Sequence, residues 1–246
     1  MKFTYDSYRG LIHLLKDNNY SFCSYHNWDE VKKCVILRHD IDNDIEKALR
    51  FAELEKEEAV SSTYFVLLTS NFYNVFSSEN QIRLNKIISL GHDIGLHFDE
   101  ANYRIESIDS MRRIIMNEAD LLSNAIGRQV KSVSMHRPSK STLNADLKIQ
   151  GLVNSYGKTY FNDFKYISDS RRRWREPVEE IITSKQFNRM HILTHAFWYN
   201  DVECTIQENV KKYVNSANIE RYYNMKSNIT DIDSIMSMEE VLYEQN

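Results

Sequence analysis

The chain has 246 residues, enough to bury one sizeable hydrophobic core, and barrels of this length commonly form a single domain. It contains 31 lysines and arginines against 35 aspartates and glutamates, which gives a formal net charge of -4. This balance provides no chain-wide attraction for a phosphate backbone, so nucleic acid is not an expected partner. No stretch is apolar for long enough to predict a transmembrane helix.

The cysteines and the amino-terminal segment both bear on location. Cys23, Cys34 and Cys204 are odd in number and widely spaced, which suits neither a disulfide framework nor a CxxC metal site. The segment MKFTYDSYRGLIHLL places Asp6 and Arg9 among its apolar residues, so it lacks the uninterrupted apolar core of a secretion signal. The expectation is a protein of the reducing cytoplasm.

Short apolar runs alternate along the chain with segments of helical periodicity. The candidate strands are Cys34–Leu37, Thr63–Leu67, Asp93–Leu96, Ser132–Met135, Gly151–Val153, Phe164–Ile167 and Ile192–Leu193. The candidate helices are Ile45–Glu57, Glu79–Ser89, Ser107–Asn124, Ala145–Ile149 and Thr205–Met225. This alternation predicts a parallel sheet or barrel that binds ligands at the carboxyl ends of its strands. Because no linker or repeat divides the chain, we expect one domain over residues 1–246, with a peripheral tail from about residue 226.

The first candidate strand ends in the sequence LRHDID, which contains Asp40 and Asp42. Residues two apart in an extended segment face the same side. Two like charges this close raise one pKa unless a cation lies between them. Asp42 as a metal ligand beside Asp40 as a proton acceptor is therefore a chemically sensible pair. The alternative is that Asp42 or Asp44 caps the following helix.

The sequence GHDIGLHFDE places His97 at the carboxyl end of another strand. Neutral imidazole is a common zinc ligand, so His97 is a candidate metal ligand. In an extended segment His92 faces the opposite side, which predicts a structural role for His92.

The sequence MHRPS follows the strand around Val133, and Pro138 prevents that strand from continuing. Arg137 is a candidate for orienting a catalytic carboxylate through a two-point contact. His136 is a candidate for completing a metal site made of two histidines and one aspartate. The alternative for this segment is a surface turn.

The last polar segment, HILTH, contains His191 and His195 within a predicted strand. Residues four apart on a strand are roughly 13 Å from each other, so the two histidines are not expected to share a metal. His195, at the end of the strand, is the site candidate.

A basic loop precedes that strand, with four arginines in five positions around Trp174: Arg171, Arg172, Arg173 and Arg175. Arginine and tryptophan together suit an anionic or sugar ligand. The alternative is a solvated basic loop.

Taken in order, the stretches LRHDID, GHDIGLH, HRPS, SDSRRRW and LTH resemble the five motifs of the NodB-homology polysaccharide deacetylases. They run from Leu37 to His195, about two thirds of the chain, and GHDIGLH is the most specific. The resemblance implies an α/β fold, an irregular (β/α)7 barrel. It also implies a divalent metal, for which zinc is expected, and hydrolysis of the amide bond in an N-acylated sugar.

Carried over position by position, the resemblance implies that Asp40 is the catalytic base and Arg137 the arginine that orients it. His97 matches the first metal histidine, and His195 matches the acid that protonates the leaving amine. The expected substrate-binding residues lie in and directly after the fourth motif, and they are Asp169, Arg173, Trp174 and Arg175.

The chain departs from the family pattern at two positions. The adjacent aspartate pair has become Asp-Ile-Asp, and Ala101 stands where a second metal histidine is expected. We therefore expect Asp42 to supply the carboxylate ligand and His136 to replace the missing histidine, with Asp99 as the fallback ligand.

The expected function is removal of an acetyl or formyl group from a nucleotide-linked or lipid-linked amino sugar in surface-glycan biosynthesis. The arginine cluster would then hold the phosphate of that substrate. Two other functions stay open. With Ala101 in place of a ligand, the protein is alternatively a sugar-binding or scaffold module with a degenerate site, and carboxylates and histidines at strand ends also serve metal-dependent phosphoesterases.

Overall fold

The computed structural model describes residues 1–243. The strands of this part are β1 Ser21–Cys23, β2 Cys34–Ile41, β3 Thr63–Val66, β4 Asp93–Phe98, β5 Ser132–Met135, β6 Val153–Asn154, β7 Lys165–Ser168 and β8 Arg189–Thr194. Its α-helices are α1 Tyr5–Asp17, α2 Ile45–Glu57, α3 Ser78–Ser89, α4 Ile108–Ile126, α5 Lys140–Asn144, α6 Lys158–Asn162, α7 Val178–Thr183, α8 Ile206–Lys226 and α9 Met238–Tyr243.

The strands form one sheet in the order β6-β5-β4-β3-β2-β8-β7, with β1 beside the first half of β2. Every strand pair is parallel. The sheet curls into a half-barrel surrounded by helices, an α/β fold consistent with an irregular (β/α) barrel. The fold class predicted from the sequence is therefore confirmed. Because the strands are parallel, their carboxyl ends meet at one edge, where residues distant in sequence come together.

Strand β2 lies at the centre of the sheet and is buried along its whole length. Its alternate residues belong to different layers. Val35 and Leu37 pack in the main core with the helices, whereas Cys34 and Ile36 pack in a second cluster with Phe65. This second cluster fills the concave interior of the sheet, below the edge where the strands end.

A buried carboxylate on the helix-facing side ties α2 to the sheet. Glu55 accepts hydrogen bonds from Tyr8 at 2.6 Å, Ser62 at 2.6 Å and Tyr64 at 2.7 Å, and its Oε1 lies 2.8 Å from His39 Nε2. Burial by itself raises the pKa of Glu55. The His39 ring and these hydrogen bonds lower it by more than burial raises it, so the net pKa is about 2. The network therefore keeps Glu55 ionised inside the protein.

Helix boundaries follow local capping. Asp44 accepts a hydrogen bond from the Lys47 amide and so caps α2, which leaves Asp42 without that role. The predicted helix over Ala145–Ile149 is wrong. Ser139 caps α5 directly after the proline turn, and Asp146, at φ 44, ends the helical path.

The described chain forms two compact units, of which the first is Met1–Asp201 and the second begins at Val202. The first contains the sheet and helices α1 to α7. In the second, a small apolar cluster packs α8 against α9, and its buried residues are Tyr222, Ile232 and Val241. The single domain with a tail from about residue 226 stays a prediction. Among residues 1–243, no helix is both long and apolar enough to cross a bilayer.

Candidate active site

The carboxyl ends of the strands in the first unit surround a cleft of about 640 Å³. Five of the polar residues singled out in the sequence line it: Asp40, Asp42, His97, His136 and His195. They lie at or directly after the carboxyl ends of strands β2, β4, β5 and β8, so the parallel sheet brings together residues up to 155 positions apart.

Three potential metal ligands meet at the floor of the cleft. One ligand atom each from Asp42, His97 and His136 lies within 4.8 Å of the other two. His97 Nε2 is 3.0 Å from His136 Nδ1, and each nitrogen is 3.3 Å from Asp42 Oδ1. Strand pairing explains this proximity, because the His136 amide donates to the Phe98 carbonyl at 2.7 Å and so extends the β4–β5 ladder to the histidines.

The chemistry of these atoms fits a divalent cation. Asp42 Oδ1 is buried and has no hydrogen-bond partner within residues 1–243. Burial by itself raises the pKa of Asp42. The His136 and His97 rings lower it by more than burial raises it, so the net pKa lies well below its usual range. Zinc–nitrogen bonds of about 2.0–2.1 Å in a tetrahedral site place ligand atoms about 3.3 Å apart. The spacing and the unpartnered carboxylate oxygen thus match a metal set of two histidines and one aspartate.

Ser134 orients the His97 ring within this set. Ser134 Oγ is 2.8 Å from His97 Nδ1, and it also accepts a hydrogen bond from Arg38 at 2.6 Å. When Nδ1 carries the proton and donates it to Ser134, the lone pair of Nε2 points toward Asp42 and His136. A metal-ligating histidine is held in the correct tautomer by a contact of this kind.

Arg38 binds both carboxylate oxygens of Asp40. Its Nε and one terminal nitrogen donate to the two Asp40 oxygens, both at 2.8 Å, and both side chains are buried. Arg38 also lies over the ring of Tyr156 at 4.7 Å. Burial raises the pKa of Asp40, but the Arg38 guanidinium outweighs it, and the net pKa is lowered. Asp40 is therefore ionised and fixed in orientation.

This contact corrects the expected role of Arg137. The Arg137 side chain is 78% exposed and pairs with Asp99 Oδ2 at 3.5 Å, so the two-point contact with Asp40 belongs to Arg38. Arg137 lines the cleft after β5 and has φ 46, a left-handed conformation.

Asp99, the fallback ligand, lies on the wall of the cleft. Its Oδ1 accepts a hydrogen bond from the Ala101 amide and caps a 3₁₀ turn at Glu100–Asn102, and its Oδ2 faces Arg137. Both oxygens therefore have partners, unlike Asp42 Oδ1. Asp99 is outside the cluster of potential ligands found in the described chain.

His195 is held by Asp169. Asp169 Oδ1 is 2.6 Å from His195 Nδ1, and Asp169 Oδ2 accepts a hydrogen bond from the His195 amide at 3.1 Å. Burial by itself lowers the pKa of His195. The Asp169 carboxylate raises it by more than burial lowers it, so the net pKa is about 9. Asp169 is fully buried, so its expected role in substrate binding is corrected: it positions His195.

The basic loop contributes fewer cleft residues than expected. Arg175 lines the cleft, as does Arg171, but Arg173 and Trp174 are not among its lining residues in the described chain. Trp174 packs against the main core, and Arg173 is exposed. The predicted contact with substrate is therefore retained for Arg175 and is not supported for Trp174 and Arg173.

Two further histidines lie away from the cleft, as predicted. His92 lies 3.0 Å from the Ala52 carbonyl through Nε2, and His191 Nε2 is 2.7 Å from the Tyr25 hydroxyl. Two residues of the site were missed in the sequence, Arg38 and Ser134. Arg38 did carry a signal, because it stands two residues before Asp40 and so shares its face of β2.

Comparison with protein-family models and with curated proteins finds no match to the sequence. Several solved structures are similar in fold. A CE4 family pseudoenzyme from Bacillus anthracis matches at 16% identity and a TM-score of 0.43, over 77% of this chain and 62% of that chain. The family 4 carbohydrate esterase from Streptomyces lividans, in complex with acetate, matches at 14% identity and a TM-score of 0.45, over 67% and 79%.

A third similar structure is the Streptococcus pyogenes deacetylase PplD in complex with acetate, at 12% identity and a TM-score of 0.46, over 85% of this chain and 86% of that chain. The chain spans less than two thirds of the length of the Bacillus anthracis pseudoenzyme.

Proposed function

We propose that this protein is a metal-dependent hydrolase of the polysaccharide deacetylase type, which removes an acetyl or formyl group from the nitrogen of an amino sugar. One observation carries the proposal. The cluster of Asp42, His97 and His136 lies beside two titratable groups: the ionised carboxylate of Asp40, 3.6 Å from His97, and the ring of His195, 3.9 Å from Asp42. Amide hydrolysis requires a base and an acid on either side of an electrophilic centre.

A divalent cation held by Asp42, His97 and His136 would supply a Lewis acid that activates water and polarises the acyl carbonyl. Asp40 then accepts the proton of the attacking water at its carboxylate. Because Arg38 binds both Asp40 oxygens, the carboxylate keeps its charge and its direction until the proton arrives.

His195 protonates the leaving amine in this scheme. Its Nδ1 hydrogen is directed at Asp169, so Nε2, which lies 3.9 Å from Asp42 Oδ2, presents its proton to the cleft. In the metal-free protein Asp169 raises the pKa of this ring to about 9, which favours the protonated form at neutral pH. Cleavage of the C–N bond yields a carboxylate and the free amine of the sugar.

The metal, the substrate and the location follow from the chemistry of the side chains. Zinc is the proposed metal, since two imidazoles and one carboxylate are its usual ligands. The substrate is proposed to be a nucleotide-linked or lipid-linked amino sugar of surface-glycan biosynthesis, because arginines line the cleft. Location in the cytoplasm is proposed because all three cysteines are free thiols.

Elemental analysis of protein purified without an affinity tag tests the proposal. We expect near-stoichiometric metal in the wild type, its loss in His97→Ala, and release of acetate or formate from N-acyl amino sugars by the wild type. Wild-type protein that contains no metal and fails to bind added zinc would support a sugar-binding module instead. Release of phosphate without acetate or formate would support a phosphoesterase.

A further inference from the structure

The loop between β7 and α7 is anchored to the proposed acid. It begins at Asp169, which accepts hydrogen bonds from His195, and the Arg173 amide donates to the Asp169 carbonyl at 3.1 Å. This bond closes a turn in which Arg171 and Arg172 take left-handed conformations, with φ 61 and φ 54. Such backbone is costly for residues with a Cβ, and it persists where the surrounding structure holds it in place.

Most positive side chains near the cleft have a partner within the protein. Arg38 binds Asp40, Arg137 faces Asp99, and the Arg172 guanidinium lies over the Phe3 ring at 5.1 Å. Arg171 and Arg175 differ from these. Both are exposed and line the cleft, and neither has a carboxylate partner in the part of the chain that the structure describes.

The acidic groups of this region are already engaged. Asp169 is held by His195, and Glu176, next to Arg175 in sequence, pairs with Lys165 at 2.5 Å. Within residues 1–243, Arg171 and Arg175 therefore present two positive charges to the cleft that no ion pair with a carboxylate neutralises. Two guanidinium groups lining one cleft are suited to the oxygens of a phosphate group.

Resting on the proposed function, we infer that Arg171 and Arg175 form a subsite for a phosphate group carried by the amine-bearing half of the substrate. The position of the loop indicates on which side of the cleaved amide bond the phosphate lies. His195 donates its proton to the leaving amine, and the loop that carries both arginines starts at the residue that holds His195. The phosphate therefore belongs to the sugar and its carrier rather than to the acyl group.

Binding of inorganic phosphate to the full chain, freed of metal by a chelator, tests the subsite without requiring catalysis. Removal of metal prevents phosphate from binding to a cation instead. In isothermal titration calorimetry at low ionic strength, we expect Arg171→Gln and Arg175→Gln each to weaken binding about fivefold. The double variant should show no measurable binding, and added salt should weaken wild-type binding because the site is exposed.

Two matched variants separate the subsite from general charge. Arg104→Gln removes the same charge from an exposed arginine beside Glu106, outside the cleft, and should leave phosphate binding within about twofold of the wild type. Arg173→Gln tests a neighbour in the same loop that does not line the cleft. A loss in either variant equal to that of Arg175→Gln would overturn the assignment, as would wild-type protein that binds no phosphate.

Kinetics of the metal-loaded protein test the connection to the substrate. The arginine variants should raise KM for N-acetylglucosamine 1-phosphate about fivefold and leave kcat/KM for N-acetylglucosamine unchanged. Equal losses for both substrates would refute a phosphate subsite even in an active deacylase. If neither substrate is hydrolysed while phosphate binding still depends on Arg171 and Arg175, the subsite holds and the proposed function fails.

The two sources of such a phosphate are distinguished by their carriers. A uridine diphosphate sugar and a short-chain polyprenyl phosphate sugar present the same phosphate chemistry to the loop. The source is the carrier that meets two conditions. It binds more tightly than inorganic phosphate, and its binding depends on Arg171 and Arg175. Binding of both carriers that is independent of the two arginines would contradict the inference.

Discussion

Asp40 receives both of its charged hydrogen bonds from Arg38, the residue two positions before it on the same strand. Arg38→Lys keeps the positive charge but loses the planar fork. We expect this variant to lower kcat about 100-fold while metal content is retained, because the base loses its orientation whereas all three proposed metal ligands are kept. Steady-state kinetics together with elemental analysis measure both effects.

Arg137→Lys is the matched control for that substitution. Arg137 is largely exposed, so we expect its replacement to change kcat less than threefold, which is about the effect of an exposed ion pair. If Arg137→Lys lost as much activity as Arg38→Lys, the assignment of the orienting arginine to Arg38 would be wrong.

The third metal ligand is open to a direct comparison. His136→Ala removes one of the three atoms that meet at the floor of the cleft and should weaken metal binding at least about 100-fold. Asp99→Ala should leave near-stoichiometric metal, since both Asp99 oxygens have other partners. Elemental analysis after dialysis decides between them. Metal retained by His136→Ala and lost from Asp99→Ala would reverse the assignment.

The pKa of His195 should depend on Asp169. The pKa of this ring is raised from 6.5 to about 9 in the folded protein because Asp169 outweighs the opposing effect of burial. In Asp169→Asn the largest attraction is removed while burial stays and Asp42 and Asp40 still raise the pKa, so we expect the pKa to fall from about 9 toward 6.5. NMR titration of the metal-free protein measures it. A ring that still titrates near pH 9 in the variant would exclude Asp169 as the cause.

Glu55 gives a prediction about stability rather than activity. Its pKa is lowered from 4.5 to about 2 on folding, so its contribution is complete above pH 4.5 and is lost as the pH falls toward 2. Glu55→Gln should lower the free energy of unfolding at pH 7 by about 3 kcal/mol, and the difference from the wild type should shrink below pH 4.5. Urea unfolding across this pH range measures the difference.

The same variant tests how far the two faces of the sheet are independent. Glu55 lies among the helix-facing contacts of the sheet, so the folded Glu55→Gln protein should bind metal as the wild type does. Loss of metal from folded protein would show that the buried carboxylate network supports the cleft. A difference in stability that stays constant down to pH 2 would contradict the lowered pKa.

Local patterns predicted most of the fold. Apolar runs marked strands β2 to β8, and helical periodicity marked α2, α3, α4 and α8 to within about two residues at each end. Strand β1 and helices α1, α5, α6, α7 and α9 were missed. Strand β1 has three residues and α5, α6, α7 and α9 have five or six each, which is too short for a clear periodicity. Helix α1 did carry the signal, because its buried residues Tyr8, Leu11, Ile12 and Leu15 stand at helical spacing.

The site was predicted where the geometry of a single strand is sufficient, and it was missed where the geometry depends on neighbouring strands. Period-two alternation placed Asp40 beside Asp42 and separated His92 from His97. The contact between Asp169 and His195 arises from the pairing of β7 with β8, which no local pattern specifies. The position of Arg137 depends on a left-handed turn, which its residue type does not favour.

The two-sided use of β2 limits the ways in which this protein can change. Arg38 and Asp40 face the cleft, whereas His39 between them faces Glu55. An insertion or deletion of one residue within the strand would exchange the two faces, placing an arginine and a carboxylate against the apolar helices and a histidine in the cleft. Variation in this strand is therefore restricted to substitutions, and length changes that alter the size of the cleft have to fall in the loops that follow the strand ends.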